Sequence, residues 1–501
     1  LMIQTILANG YFPAELPPVW KSSRFAEQHA ILIPAGKRRP SQPLAFTIPK
    51  RGKSRRWLKV PHPLYYLLLT KKLAQQQSSL ESLTQKSRLS LSTPLFSSKR
   101  NRAISPVQTF AQVHESRFEA SLTAPYFVQT DLAGFYASIY THSIPWAIHG
   151  KEYARANRKN RQLWGNQVDA LVRNMQEGQT MGIPVGSDLS FWMAEVVAQE
   201  IDLQLQEQMP AIRGSRFLDD YRFYIDKPEE GESILQKLSQ ILDGWKLRLN
   251  PYKTKIGETP ELSEPIWKAE LILPDELDQD FGLRFSSYLE KAVRFAKEFP
   301  EDSVLRYVIS QIASKSNIPS PVLYEKFLCY AMRSDGRTVA LAMNQMLRLV
   351  PTLSLPQQEE SMARLYSLLG SFLQSGKHLE SLWLLYFFKH RSEALPNQLS
   401  LLLSQETNPL LVLLSLDLWS TGQLPDLDRE GWSTQAQASN GYDLWWMVAY
   451  ESESRAWLKS NSLLCKQDAF FQSLRQGDVS FYDEQAHRTV RAKGSWLDLY
   501  V

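Results

Sequence analysis

The segment Phe217-Leu218-Asp219-Asp220 constrains this chain most. It lies within SRFLDDYRFYID, between two apolar-rich arms, and reads as strand, tight bend and strand, with adjacent aspartates at the bend. Two neighbouring carboxylates repel. A divalent cation shared with a third carboxylate relieves that repulsion. Adjacent acids are also common in polar turns, and the apolar arms are what make this a strand hairpin. Asp226, just downstream, reads as a surface residue.

A third carboxylate lies upstream. YFVQTDL reads as a short strand ending in Asp131, followed by LAGFYASIY. Taken alone, Asp131 reads first as a helix N-cap. Between the two acidic segments, GIPVGSDLS (182–190) opens a long helical pattern. Its two glycines allow a backbone to approach a ligand closely, and a helix N-terminus offers free N–H groups. The alternative is an ordinary loop–helix junction. After the hairpin come an amphipathic helix, EGESILQKLSQILDGW, a strand-like LRLN, and KTKIG. Lys253 in that last stretch either meets a phosphate or is solvated.

At 501 residues the chain exceeds one ordinary core, so two or three domains are expected. Net charge is only +5, but its distribution is uneven: KRGKSRRWLK, Lys50 to Lys59, holds six basic residues and no acid. A second basic run, Lys151 to Arg161, sets Arg155, Arg158 and Lys159 against Glu152. Such runs suit a polyanion, nucleic acid or nucleoside triphosphate, and equally a solvated basic face. Residues 1–44, with GYFPAELPPVW and a basic, proline-containing stretch, read as an extended arm. Residues 45–270 mix strands and helices, with LAFTIPK a strand, LYYLLLTKKLAQQQ a helix and the Ser/Pro-rich 86–108 a loop. Residues 271–501 carry Leu, Ala, Met and Trp at helical spacing, as in an α-helical repeat array, with a compact bundle as the alternative.

Only two cysteines occur, Cys329 and Cys465, without disulfide or zinc-ligand spacing. That fits a reducing compartment, the cytoplasm. LMIQTILANGYF lacks the charged and apolar regions of a signal peptide. The apolar stretch 399–418 is broken by Gln405, Glu406, Asn408 and Pro409, so no membrane association is expected.

In order, these pieces resemble the palm of reverse transcriptases, motifs A to D, preceded by basic fingers, over roughly residues 45 to 260. The resemblance implies an α+β N-terminal half with reverse-transcriptase fingers and palm, ahead of an all-α, helical-repeat-like C-terminal half. It implies an enzyme, a nucleotidyltransferase acting on dNTPs. A hydroxyl attacks the α-phosphate in line, assisted by two Mg²⁺ ions about 3.5–4 Å apart. Oxygen ligands suit Mn²⁺ as well. Asp131 and Asp219 are the implied metal ligands, with Asp220 as ligand or supporting charge. Lys50, Arg51, Arg56 and Lys59 match basic fingers residues that bind triphosphate. Tyr136, beside Phe135, matches the aromatic position that selects deoxyribose, with core packing as its alternative. Gly186 and Lys253 complete the implied nucleotide-binding set.

A narrower resemblance lies in YTHSIPWAIHG (140–150), in GYFPAELPP, in LSTPLFSSKRNRAISP and in the long helical C-terminal half. These are similar to the bacterial abortive-infection (Abi) reverse-transcriptase-like polymerases, a phage-defence group. Departures from ordinary reverse transcriptases point the same way: Val185 stands where motif B usually has glutamine, Phe217 stands where tyrosine usually precedes X-Asp-Asp, and no thumb is recognisable beyond residue 270. The resemblance implies template-independent DNA synthesis primed by a tyrosine hydroxyl, leaving DNA covalently attached, and assembly into a homo-oligomer. It does not identify the tyrosine; Tyr11, on the arm, is one candidate among 20. The competing readings are a templated reverse transcriptase copying a particular RNA and a non-catalytic nucleic-acid-binding scaffold. The three intact aspartates argue against the scaffold.

Overall fold

The computed structural model describes residues 1–32, 39–52, 54–260, 265–273, 279–315, 317–459 and 464–486. Lys53 of the first basic run and residues 33–38 of the expected arm lie outside the described residues.

Eight strands are named in chain order: β1 Leu44–Pro49, β2 Arg55–Val60, β3 Pro94–Phe96, β4 Ile104–Pro106, β5 Tyr126–Asp131, β6 Gly214–Phe217, β7 Asp220–Ile225 and β8 Lys255–Glu258. The central sheet has the order β6-β7-β5-β8, antiparallel throughout, with Asp131 opposite Asp220 and Phe217 opposite Asp220 across the bend. Alternation along β5 and β7 divides the side chains between two faces. Val128, Tyr221, Phe223 and Ile225 join the main core, against the helices Asp188–Gln208 and Pro228–Gly244. Phe127 and Tyr224 form a small second cluster with Ala120 and Ala124, under the helix Phe110–Ser121. LRLN, expected as a strand, makes only one bridge, Leu132 to Leu249; the pairing strand lies further on, at β8.

The hairpin β1–β2 docks on the helical half. Glu380, buried on the helix His378–Lys389, accepts both Arg55 Nη atoms at 2.7 Å. Asn408 donates to the Ala45 carbonyl at 2.8 Å. The helical half has two layers. Pro321–Ser334, Leu355–Gln374 and Asn397–Ser404 pack in succession on one side, and Val339–Leu349, His378–Lys389, Pro409–Ser420 and Trp446–Arg455 on the other. HLESLWLLYFF and PLLVLLSLDL are buried on every face, as expected of an inner layer flanked on both sides.

The N-terminal segment differs from the extended arm expected. Met2–Asn9 is a helix, and Tyr11, Phe12, Trp20 and Phe25 lie in the core beside Phe481 and Tyr482. The aromatics and prolines that suggested an arm are packing groups. The Ser/Pro-rich stretch 86–108, expected as a loop, holds the β3–β4 hairpin and buries Ser92, Arg102 and Ser105. No helix among the described residues is long and apolar enough to cross a membrane.

Candidate active site

Asp131 ends β5 and is 7% exposed. Asn250 N–H donates to its carbonyl at 2.7 Å, and Asn250 Nδ2 to Oδ1 at 3.3 Å. Lys253 Nζ lies 2.7 Å from Oδ2. Asp219 is the second residue of the two-residue bend, and its carbonyl accepts from Leu132 N–H at 3.0 Å. Burial, and then the charge of Asp131, push the Asp219 carboxyl up to about 6. Lys253 and Arg56 act in the opposite sense on Asp219. Lys50 is pulled below its ordinary value by burial and then by Arg56 and Lys253, against the pull of Asp131 and Asp219. The β1–β2 hairpin thus brings Lys50 and Arg56, with Lys253 from the turn before β8, into the field of two acids.

Asp220 faces Asp131 in register, with Cβ atoms about 5 Å apart for such a pair. Its carboxylate, however, accepts from Arg117 Nη1 at 2.7 Å and its carbonyl from Nη2 at 3.1 Å. Among the described residues no three His, Cys, Asp or Glu side chains gather as a metal-binding group. The three-aspartate set is therefore divided: Asp131 and Asp219 couple to each other, and Asp220 is balanced by Arg117. An all-oxygen, doubly anionic pair that raises one member's pKa fits a divalent cation such as Mg²⁺ or Mn²⁺.

The bend itself is held from behind. Leu218 has φ 57°, a left-handed conformation uncommon for leucine and costing about 1 kcal/mol or more. Its N–H donates to Ser92 Oγ at 2.8 Å, and its carbonyl accepts from Arg216 Nη1 at 2.9 Å. Arg216 is fully buried and is paired with Glu195 at 2.7 Å and Asp202 at 2.9 Å. Tyr221 donates to Asp202 and Ser92 to Glu195, each at 2.8 Å. Sequence reasoning missed this network. The signal was faint: acids at 195 and 202 on a helix that also carries Asp188, Glu200 and Glu207, and an arginine within the strand Gly214–Phe217.

The remaining expected residues divide as follows. Phe135 is buried, while Tyr136 is half-buried with its ring 5.8 Å from Phe135. Lys59 is half-buried, lowered by burial, with Glu177 acting against that, and its N–H donates to the Val185 carbonyl at 2.8 Å. Arg51 is exposed at the hairpin tip. Gly186, at φ 127°, turns toward Pro13, and an added Cβ there would stand 2.8 Å from Pro13 Cγ. The helix start beside it is closed by the chain itself: Asp188 pairs with Arg102 and accepts from Ile104 N–H at 3.0 Å. Tyr11 is fully buried, donates to the Pro61 carbonyl at 2.7 Å, and is raised well above the usual phenol range by burial. A phenol so held is not a free nucleophile. The segment 140–150 packs inward, with His142 Nδ1 2.8 Å from Asp169.

Residues 48–271 match the family described as reverse transcriptase (RNA-dependent DNA polymerase). The chain therefore carries a reverse-transcriptase-like polymerase domain. That span covers both acidic segments, β2 with the end of β1, and Lys253. Such a domain implies nucleotidyl transfer, and domains of this type generally use divalent metal ions. Among solved structures, similar chains include telomerase from Candida albicans with a fragment of telomeric RNA (12% identity, 66% of this chain, TM-score 0.32). Apo telomerase from Candida tropicalis gives 12% identity over 72% of this chain at a TM-score of 0.34. This chain spans 65% and 66% of those two chains. Overlap this low says nothing about substrate or template. No curated protein matches.

Proposed function

We propose that the protein polymerises dNTPs into DNA without a nucleic-acid template, starting from a tyrosine hydroxyl of the protein itself, in defence against phage. The observation that carries the catalytic part is the Asp131–Asp219 pair within the field of Lys50, Arg56 and Lys253. Asp131 and Asp219 would hold Mg²⁺. When bound, the ion supplies charge neutralisation at the phosphate and a lower pKa for the attacking hydroxyl. Lys50, Arg56 and Lys253 neutralise and orient the triphosphate. The hydroxyl oxygen bonds to the α-phosphorus, the bond to the β-phosphate oxygen breaks, pyrophosphate leaves, and the hydroxyl proton passes to solvent. The Tyr136 ring discriminates against a 2′-hydroxyl.

Template independence is supported by the loop around Val185. Val185 itself carries no amide, its carbonyl is taken by Lys59 N–H, and Gly186 is packed on Pro13. Burial of Tyr11 leaves the priming tyrosine among the others. Defence, the bacterial setting and a homo-oligomer rest on the resemblance in 140–150 and the helical half. A templated reverse transcriptase is the second reading, since the domain family is one of RNA-dependent polymerases.

The test supplies purified protein with labelled dNTPs and Mg²⁺, with and without added RNA template and primer. Label that stays on the protein through denaturation, is released by DNase and needs no template supports the proposal. Label found only in primer extended on RNA overturns it in favour of the templated reading.

A further inference from the structure

The second basic run lies apart from the carboxylate pair. Arg155, Arg158, Lys159 and Arg161 are exposed on the helix Lys151–Ala156 and the turn after it. Lys246 and Arg248 are exposed on the segment that leads from Gly244 to Asn250. Among the described residues no carboxylate pairs with any of these six. The nearby acids in sequence are Glu152 and Asp243.

The two basic segments are joined. Lys151 Nζ donates to the Gly244 carbonyl at 2.8 Å, and the Trp146 and Trp245 rings meet edge to face at 6.1 Å. The chain then runs back along the end of β5. Ala133 N–H donates to the Arg248 carbonyl at 2.9 Å, and Asn250 N–H to that of Asp131 at 2.7 Å. Even fully extended, the chain from Gly244 to Asn250 spans only about 20 Å. Each segment also carries or leads to an exposed ring: Tyr153, on the helix Lys151–Ala156, at 54%, and Tyr252, two residues after Asn250, at 98%. Tyr252 stands next to Lys253, whose ammonium touches Asp131.

Cations interleaved with exposed aromatic rings suit a single strand, whose phosphates and unstacked bases are both accessible. A duplex would use the charges and leave the rings idle. We propose that this face is a track for single-stranded DNA at the Asp131–Asp219 site. The six basic residues meet phosphates, and Tyr153 and Tyr252 meet bases. That the strand is the DNA product rests on the reading above; the surface itself rests on exposed charge and aromatic rings.

The test uses the full chain without dNTPs, so it reads binding and not catalysis. The probe is a labelled oligothymidylate of about 25 nucleotides, titrated by fluorescence anisotropy over a salt series. Each single-strand phosphate contact contributes about 0.7 to the slope of log affinity against log salt. Arg155→Ala/Arg158→Ala/Lys159→Ala/Arg161→Ala should lower that slope by about 3. Lys246→Ala/Arg248→Ala, on a separate segment, should lower it by about 1.4. Tyr153→Ala should weaken binding about tenfold and leave the slope unchanged. Unchanged slopes in both charge variants, or tighter binding of duplex DNA or of single-stranded RNA of equal length, would overturn the proposal. If these shifts occur in a protein that incorporates no dNTP, the binding face stands and the polymerase reading is what fails.

Discussion

Lys253 Nζ stands 2.7 Å from Asp131 Oδ2, on the carboxylate whose other oxygen accepts from Asn250. With the two Asn250 hydrogen bonds, this contact ties the segment after the helix Pro228–Gly244 to β5. In the proposed reaction it sets an ammonium where a triphosphate would arrive. The Lys253 side chain is half-exposed, so solvent screens the pair and its own contribution to stability is about 1 kcal/mol or less. Lys253→Ala is expected to lower kcat/KM for dNTP by about 10- to 100-fold, with Lys253→Arg recovering part of the loss. Steady-state incorporation of labelled dNTP reads both.

Asp220 shares a register position with Asp131 but gives its carboxylate to Arg117. Arg117 balances its charge as Lys253 balances that of Asp131, but it is Asp131 and not Asp220 whose charge acts on Asp219. Asp131→Asn and Asp219→Asn should each abolish incorporation. Asp220→Asn should leave a measurable rate, lower by about 10- to 100-fold. Equal loss in all three variants would show that Asp220 is a full partner of the pair.

The Asp219 carboxyl, at about 6, lies above its unfolded value of 3.8. Between those values the folded protein holds the extra proton, so stability falls as pH rises from about 4 to about 6, then levels off. In metal-free buffer at pH 7.5, Asp219→Asn should therefore raise Tm, by an amount equivalent to about 1–3 kcal/mol. The gain should vanish below pH 4. Mg²⁺ should raise Tm of wild type and not of the variant. Thermal melts in EDTA and in Mg²⁺ across pH check the sign.

Ser92 holds Leu218 in its left-handed conformation through the Leu218 N–H. Ser92→Ala leaves that N–H and Glu195 each short of a partner, at about 1–3 kcal/mol of stability. The expected signature is a lower kcat with KM for dNTP little changed, because the bend moves and the triphosphate contacts do not. Arg216→Ala should be harsher, about 3–5 kcal/mol, since it strands two buried carboxylates. Denaturant melts beside kinetics separate the two effects.

Much of this was legible in the sequence. The apolar-rich runs in YFVQTD and RFYI read as strands and are β5 and β7, and the apolar arms around Leu218 gave the bend between strands. Three-to-four spacing gave the C-terminal helices. Partnership was not legible. Nothing local distinguishes Asp219 from Asp220; the distinction lies in Arg117, about a hundred residues earlier. Ser92 and Arg102 sit in a stretch whose composition says loop, and they are buried because distant polar groups meet them. Tyr11 sits in a proline-rich segment that reads as an arm, and only the aromatic cluster with Phe481 shows that it is interior.

The most direct test of the Asp131–Asp219 pair compares wild type and Asp219→Asn, matched for folding by thermal melts, in incorporation of labelled dNTP with Mg²⁺ and no template. The account predicts protein-attached, DNase-sensitive label in wild type and none in the folded variant. Equal incorporation by the two would contradict it, and would mean that the chemistry lies elsewhere in the molecule.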